Sequence, residues 1–389
     1  MKIYFVTRGW PSEREPQWGC FERDQALALK KLGHQVVVLS VDVRFRWYSR
    51  KYGITKDFQD GITRYNFFAG SIWGRVLIST SISLHVKIRR LFFLYLFKNV
   101  IKEEGVPDLL YSHYLQNTSM ALAAKQKYGI PVIGIEHWSE LGYENIKDGI
   151  KKWAQNTYKD LDQLLTVSSA LQENILKNFG VNSVVVNNMV GNDFMELANC
   201  PQKHIRGGKL KFVTVGNLIP RKGLDYLIES LHILTLPKDS WEMNIVGDGP
   251  ERNKLTALID KYNLHDNVKL LGAKDRKGVI ETLCSNDVFV LASLSETFGV
   301  VVIEALACGL PVIVTDCGGT NDIINSQNGV MCPVKDPQRL AECFTYMMNN
   351  YRNYDSVQIA ADCQTRFSSD SIGKQLEGIF EEVIQKNKQ

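Results

Sequence analysis

Two glutamates eight residues apart, Glu296 and Glu304, bracket the start of an apolar helix in the segment ASLSETFGVVVIEALACG. A carboxylate only accepts hydrogen bonds and suits a vicinal diol. Glu304 would accept both hydroxyls of a ribose, and Glu296 the hydroxyls of a second sugar. Between them, the backbone N–H groups of Phe298, Gly299 and Val300 open the helix. Unpaired donors and the helix dipole favour a diphosphate there. The plainer alternative is two solvated acids, one in a loop and one on a helix surface. The helix is otherwise apolar, so an unpartnered Glu304 would be costly.

A second group precedes it, in VGNLIPRKGLDYLIES. Arg221 and Lys222 stand just before a helix beginning at Leu224, after a strand that ends near Gly216. Two cations beside a helix N-terminus make a phosphate site. The segment is no P-loop, because G-x-x-x-x-G-K-[ST] is absent. Taken alone, it would serve equally as an exposed turn.

Weaker signals lie in the first half. His137 is flanked by Glu136 and Glu140, one of which could orient its imidazole. His113 ends an apolar run and reads as a cleft residue or a satisfied buried histidine. Trp10, Trp18 and Trp138 sit at or near loops and read as sugar-stacking or core residues. Asp160-Leu161-Asp162 is a literal D-x-D, the pattern of metal-dependent transferases. It falls in a helical stretch and reads as chance. The eight cysteines never form CxxC or a zinc spacing, which points to reduced thiols and no metal site.

The elements that position these residues alternate between strand and helix twice over. Lys2–Thr7, Phe21–Leu32 and Gln35–Val41 form a βαβ unit. Buried strands follow at Leu109–Tyr111, Pro131–Ile135, Gln163–Val167 and Ser183–Val186. The pattern weakens over residues 191–209 and then restarts at Lys211–Val215. The expectation is an α/β protein with two doubly wound, Rossmann-like domains facing across a cleft that holds the site. Residues 1–190 form the first domain, 191–209 a linker, 210–370 the second, and 371–389 a C-terminal helix returning to the first.

The chain has 389 residues and a net charge of +4, divided as +8 over residues 1–190 and −4 over 191–389. Residues 44–102 alone carry +10, with aromatic residues interleaved. Three readings are open: a solvated helix face, contact with an anionic membrane, or nucleic acid. No nucleic-acid motif is visible, and nucleic acid is not expected as a partner. The longest apolar run, Leu91–Phe97, is far below the roughly 20 residues of a membrane span. The opening MKIYFVTRGW lacks an apolar signal region, so a cytoplasmic chain is expected.

Taken together, the motifs resemble the family-4 retaining glycosyltransferases of GT-B fold. The resemblance spans nearly the whole chain. It rests on GCFERDQALALKKLGHQVVVLS, GIPVIGIEHWSE and TVSSALQENIL in the first half. In the second it rests on VGNLIPRKGLDYLIES, IVGDGPERNKL, VFVLASLSETFGVVVIEALACGLPVIVTDCGGTNDII and NGVMCP. It implies that Lys222 neutralises the donor diphosphate, Glu304 holds the ribose and Glu296 lies beside the transferred sugar. His137 would reach the donor sugar near the reacting carbon, and Gly19 would face the diphosphate. The family usually has arginine where Asn217 stands, a charge that Arg221 could replace. The family's P-N-G-V-D hinge reads Asn187-Asn188-Met189-Val190-Gly191 here.

The implied activity is metal-independent, retaining transfer from a nucleoside-diphosphate sugar to a glycan or lipid-linked acceptor, with no cofactor. The implied setting is bacterial surface polysaccharide or glycolipid assembly at the inner face of the cytoplasmic membrane. The non-enzyme alternative is a sugar-nucleotide-binding or scaffold protein.

Overall fold

The computed structural model describes residues 1–15, 18–43, 50–70, 82–142, 146–197 and 208–388. Arg44, Arg46, Trp47, Tyr48, Trp73 and Arg75 of the basic stretch lie outside them, as do residues 198–207 of the expected linker. The chain divides into two compact units. Met1–Asn188 and Ser369–Gln389 form the first, and Met189–Ser368 the second.

Among the described residues, the first unit is built on eight strands: β1 (Lys2–Thr7), β2 (Gln35–Asp42), β3 (Gly53–Gln59), β4 (Ile62–Phe68), β5 (Leu109–His113), β6 (Val132–Glu136), β7 (Gln163–Thr166) and β8 (Val184–Val185). Their order is β3-β4-β2-β1-β5-β6-β7-β8. All neighbours are parallel except β3 and β4, which form an antiparallel hairpin. Helices α1 (Cys20–Lys31), α2 (Ile82–Glu104), α3 (Tyr114–Tyr128), α4 (Asp148–Tyr158) and α5 (Ser169–Phe179) connect them. Strands covered on both faces read as continuous apolar runs. Accordingly, β1 is buried from Ile3 to Thr7 and β5 throughout.

The apolar run Leu91–Phe97 lies within α2 and is divided by helical geometry. Phe93, Leu96, Phe97 and Val100 are fully buried in the core with Tyr4, Leu39 and Leu110. Leu91 and Tyr95 remain 65% and 56% exposed.

The second unit begins with α6 (Asn192–Leu197), so the expected linker opens with a helix. Its Asp193 pairs with Arg276. There follow β9 (Leu210–Val215), α7 (Leu224–His232), β10 (Trp241–Val246), α8 (Arg252–Lys261), β11 (Val268–Gly272), α9 (Arg276–Cys284), β12 (Val288–Leu291), α10 (Val300–Ala307), β13 (Val312–Thr315), β14 (Gly329–Cys332), α11 (Pro337–Asn350) and α12 (Ser356–Phe367). The parallel sheet has the order β11-β10-β9-β12-β13-β14. Its core joins Phe212, Trp241, Met243, Val290 and Phe344.

The last helix, α13 (Ser369–Lys386), belongs to the first unit. It packs on α1 through Gly373, where an added Cβ would stand 3.4 Å from the Ala28 Cβ. Lys31 pairs with Asp370 at 2.7 Å. Among the described residues, six cysteines carry free thiols. Cys284 is disulfide-bonded, against the expectation of reduced thiols throughout.

Candidate active site

In the second unit, strand order reverses between β9 and β12. Ligands of open α/β sheets bind at such a switch point, beyond the carboxyl ends of the strands. The loop after β9 carries Gly216, Arg221 and Lys222, and the loop after β12 carries Glu296. The structure brings these loops together. Lys222 Nζ lies 2.6 Å from Glu296 Oε1, with the two side chains 15% and 10% exposed. Ser293 Oγ donates to the same carboxylate oxygen at 2.7 Å.

Backbone contacts hold this arrangement. Leu294 N donates to the Arg221 carbonyl at 2.8 Å. Gly223, at φ +59°, caps the start of α7, and a Cβ there would stand 2.2 Å from the Ala292 carbonyl oxygen. Only glycine fits so close an approach. Glu296 N donates to the Cys317 carbonyl, and Gly319 N to the Glu296 carbonyl, both at 3.1 Å. The loop after β13 thereby clamps Glu296 from a third side.

Phe298 anchors its own loop. Its ring is 1% exposed and packs edge-on against Phe367, with ring centres 5.8 Å apart. Gly299 starts α10 at φ +94° with no side-chain cap. Among the described residues, none accepts from the N–H groups of Phe298, Gly299 or Val300. Those donors sit where an anion is favoured. Gly216 lies beside the lysine, where an added Cβ would make ordinary contact with Lys222 Cε at 3.4 Å. Glu304 is half-buried within α10 and has a partner in the fold. The half-buried Arg221 guanidinium has none among the described residues.

His137 and Gly19 belong to the first unit. Glu136 does not orient the imidazole. It is fully buried, and its Oε1 accepts from the backbone N–H groups of His137 and Trp138, both at 2.9 Å. Its Oε2 accepts from Leu115 N at 2.8 Å and Tyr158 Oη at 2.7 Å. Burial raises its pKa, while these four donors pull it down. His113 meets the His137 ring, its Nδ1 lying 3.3 Å from His137 Nε2. Phe21 stacks on His137 at 5.9 Å. Burial drives the His113 pKa down to about 3 and that of His137 well below its ordinary value. Both rings are therefore neutral near pH 7 and can donate or accept hydrogen bonds without carrying charge. His113 is wholly buried and does not line a cleft.

Gly19 stands at φ +80° at the head of α1, where a Cβ would meet the Gly9 carbonyl oxygen at 2.4 Å. Trp10 sits over Arg64, at 5.3 Å. Asp162 accepts from Lys125 Nζ and Val132 N, both at 2.7 Å, so the D-x-D segment ties α3 to β6. Among the described residues, no three His, Cys, Asp or Glu side chains converge as a metal site.

The sequence reading missed Arg8 and Glu22. The Arg8 guanidinium donates to both Glu22 oxygens, at 2.8 and 3.3 Å. It also lies 3.9 Å from the Tyr114 ring centre and 4.8 Å from that of Trp18. Glu22 is wholly buried. The available signal was an arginine directly after a mostly apolar strand, with an acid in the first turn of the next helix.

Known proteins match both units. The model for glycosyl transferases group 1 matches residues 198–362, and that for Glycosyltransferase Family 4 matches residues 23–193. The chain is 28% identical to the putative teichuronic acid biosynthesis glycosyltransferase TuaC of Bacillus subtilis, over 89% of this chain and 88% of that one. It is 24% identical to the phosphatidylinositol N-acetylglucosaminyltransferase GPI3 subunit of Saccharomyces cerevisiae, over 83% and 70%. Anabaena HepE, solved in complex with UDP, superposes with a TM-score of 0.72 at 18% identity, over 98% of this chain and all of that one. The chain belongs to the family-4 glycosyltransferases and has the GT-B fold.

Proposed function

We propose that the protein moves a sugar from a nucleoside-diphosphate sugar to a glycan or lipid-linked acceptor, with retention of anomeric configuration. The observation that carries this reading is the Lys222–Glu296 pair beside the uncapped start of α10. A diphosphate seated on the N–H groups of Phe298, Gly299 and Val300 would draw Lys222 onto its oxygens. That releases Glu296 to accept the hydroxyls of the transferred sugar. Glu304 would hold the ribose. As the leaving group departs, Lys222, Arg221 and the helix N–H groups absorb its charge. The acceptor hydroxyl attacks on the leaving-group face, and its proton passes to the departing phosphate. Charge neutralisation by these cations supports a reaction with no metal and no cofactor. The neutral His137 would donate to the donor sugar or accept from it.

The names of similar proteins support the setting: teichuronic acid biosynthesis for TuaC, a phosphatidylinositol acceptor for GPI3, and bound UDP for HepE. We place the enzyme in bacterial surface polysaccharide or glycolipid assembly, at the inner face of the cytoplasmic membrane. A panel of UDP-, GDP- and ADP-sugars, incubated with acceptor extracts in EDTA, tests it. Retained sugar transfer is expected. Donor binding without turnover for any sugar would leave a sugar-nucleotide-binding protein as the better description. Loss of transfer on chelation, restored by manganese, would overturn the metal-free mechanism.

A further inference from the structure

The first unit contains a cavity of about 230 Å³ beside the histidine pair, with Arg8, Trp18, Tyr114, Asn117 and Trp138 in its wall. Its size is informative, because pockets for drug-sized ligands run to roughly 300–1,000 Å³. This one suits a single sugar ring and is too small for a nucleotide sugar. Trp18, Tyr114 and Trp138 offer flat apolar faces, and Asn117 a polar group for hydroxyls. Tyr114 stands at φ +67°, a conformation that bulky residues avoid. The peptide after it is pinned by Leu115 N on Glu136. That backbone sets the Tyr114 ring against Arg8, 3.9 Å from the guanidinium carbon, and 5.1 Å from the His137 ring centre.

Arg8 is built to recognise rather than merely to pack. Glu22 occupies its Nε and Nη2 groups, and its guanidinium lies over two aromatic rings. The Nη1 end meets no acceptor among the described residues, and the side chain is 25% exposed. A guanidinium locked in this way gives up little entropy on binding and presents a planar fork to an anion. The charges around the cavity leave room for one. Asp42 in the wall is held by Arg50 at 2.8 Å, and Glu22 by Arg8. Among the described residues of the wall itself, Arg8 and Arg89 stand beside one carboxylate, Asp42.

We propose that this cavity receives the terminal ring of the acceptor, and that Arg8 selects a ring bearing an anionic group, a carboxylate or a phosphate. The proposal rests on the transferase reading, and its chemistry is tested separately. Titrations with glucuronate, myo-inositol 1-phosphate and glucose are followed by ligand-observed NMR, with UDP, GDP and ADP each present at saturation in turn to fill the donor site. At least one of the anions should bind about tenfold more tightly than glucose. Binding of glucuronate alone points to a uronic acid acceptor, and binding of the phosphate alone to a phosphorylated one.

The double variant Arg8→Gln/Glu22→Gln removes both charges and strands neither. It should lose the preference while keeping a cooperative thermal transition. Arg8→Lys keeps the charge without the fork and should lose most of it. Equal affinity for glucose and both anions, or an undiminished preference in the double variant, overturns the proposal. Anion binding without turnover of any sugar nucleotide would sink the transferase reading and leave the site. Turnover without anion selectivity would do the reverse.

Discussion

Glu296 and Lys222 are 74 residues apart in the chain and 2.6 Å apart in space. Each was legible alone, from residue type beside a helix start. Their contact was not, because it depends on which strands are neighbours. Glu296→Gln keeps an acceptor for Ser293 and gives up the carboxylate. Turnover should fall about 10²–10³-fold, the scale of losing one preorganised charge or donor. Where the panel shows UDP-sugars to be the donors, affinity for UDP should change little, since UDP carries no transferred sugar. Lys222→Ala should cost turnover a similar factor. Arg221→Ala should be nearly as damaging if Arg221 supplies the charge missing at Asn217; steady-state kinetics with wild-type rates would remove it from the site. Glu304→Ala should weaken UDP binding by about 1–3 kcal/mol, measured by calorimetry.

The histidine pair was invisible in sequence, because neither ring's partner lies nearby in the chain. It carries a prediction in pH. Both rings have pKa values below those of exposed histidine. The unfolded chain therefore takes up protons first as pH falls below about 6.5, and folding loses stability from there down toward about 3. Glu136, with its pKa raised, works in the opposite sense. His113→Asn leaves Glu136 in place, so comparison with wild type isolates the histidine. Between pH 6 and 4, the variant should lose up to about 1.4 kcal/mol less stability per pH unit. Parallel denaturation curves across that window would show that His113 is not titrating as its burial requires.

At the scale of elements, parallel strands were legible because burial on both faces makes them continuous apolar runs. The hairpin β3–β4 was not found. Its exposed strand β3 alternates poorly, and its basic residues drew attention to charge instead. The local signal was present in Asp60-Gly61, both at positive φ, which is the chemistry of a two-residue hairpin turn. The clamp of the loop after β13 on Glu296 was also hidden, although CGGT gave the glycines. An added Cβ at Gly319 would stand 2.4 Å from Phe298 N. Gly319→Ala must therefore push the loop after β13 away from the loop that presents Glu296 and the Phe298–Val300 N–H groups. Overpacking of this kind destabilises by about 1–3 kcal/mol. Urea unfolding should register that loss, and UDP affinity should fall with it. A variant that loses stability but binds UDP normally would separate the clamp from the donor site.

Over the whole molecule, the positive charge of the first half invites an anionic surface, and the structure sorts which cations can meet one. Arg90 turns inward, donating to the Ser119 carbonyl at 2.8 Å, and Arg89 lines the cavity. Neither is placed to hold a membrane, although their position in sequence suggested it. Helical geometry selects a different set. Leu84, Leu91 and Tyr95 are exposed along α2, and Lys87, Lys98 and Lys102 share that side, opposite the buried Phe93, Leu96, Phe97 and Val100. Among the described residues, no helix is long and apolar enough to cross a membrane. An apolar stripe edged with lysines suits shallow, reversible attachment. Each lysine near an anionic surface contributes about 1 kcal/mol, screened by salt. Wild-type protein should therefore float with phosphatidylglycerol liposomes at low salt. It should detach near 0.5 M salt, where the Debye length is roughly 4 Å. Lys87→Glu/Lys98→Glu should stay in the unbound fraction with its folding and UDP affinity intact. If variant and wild type partition alike, this face of α2 is only solvated, and an acceptor free in solution becomes the better match for the enzyme.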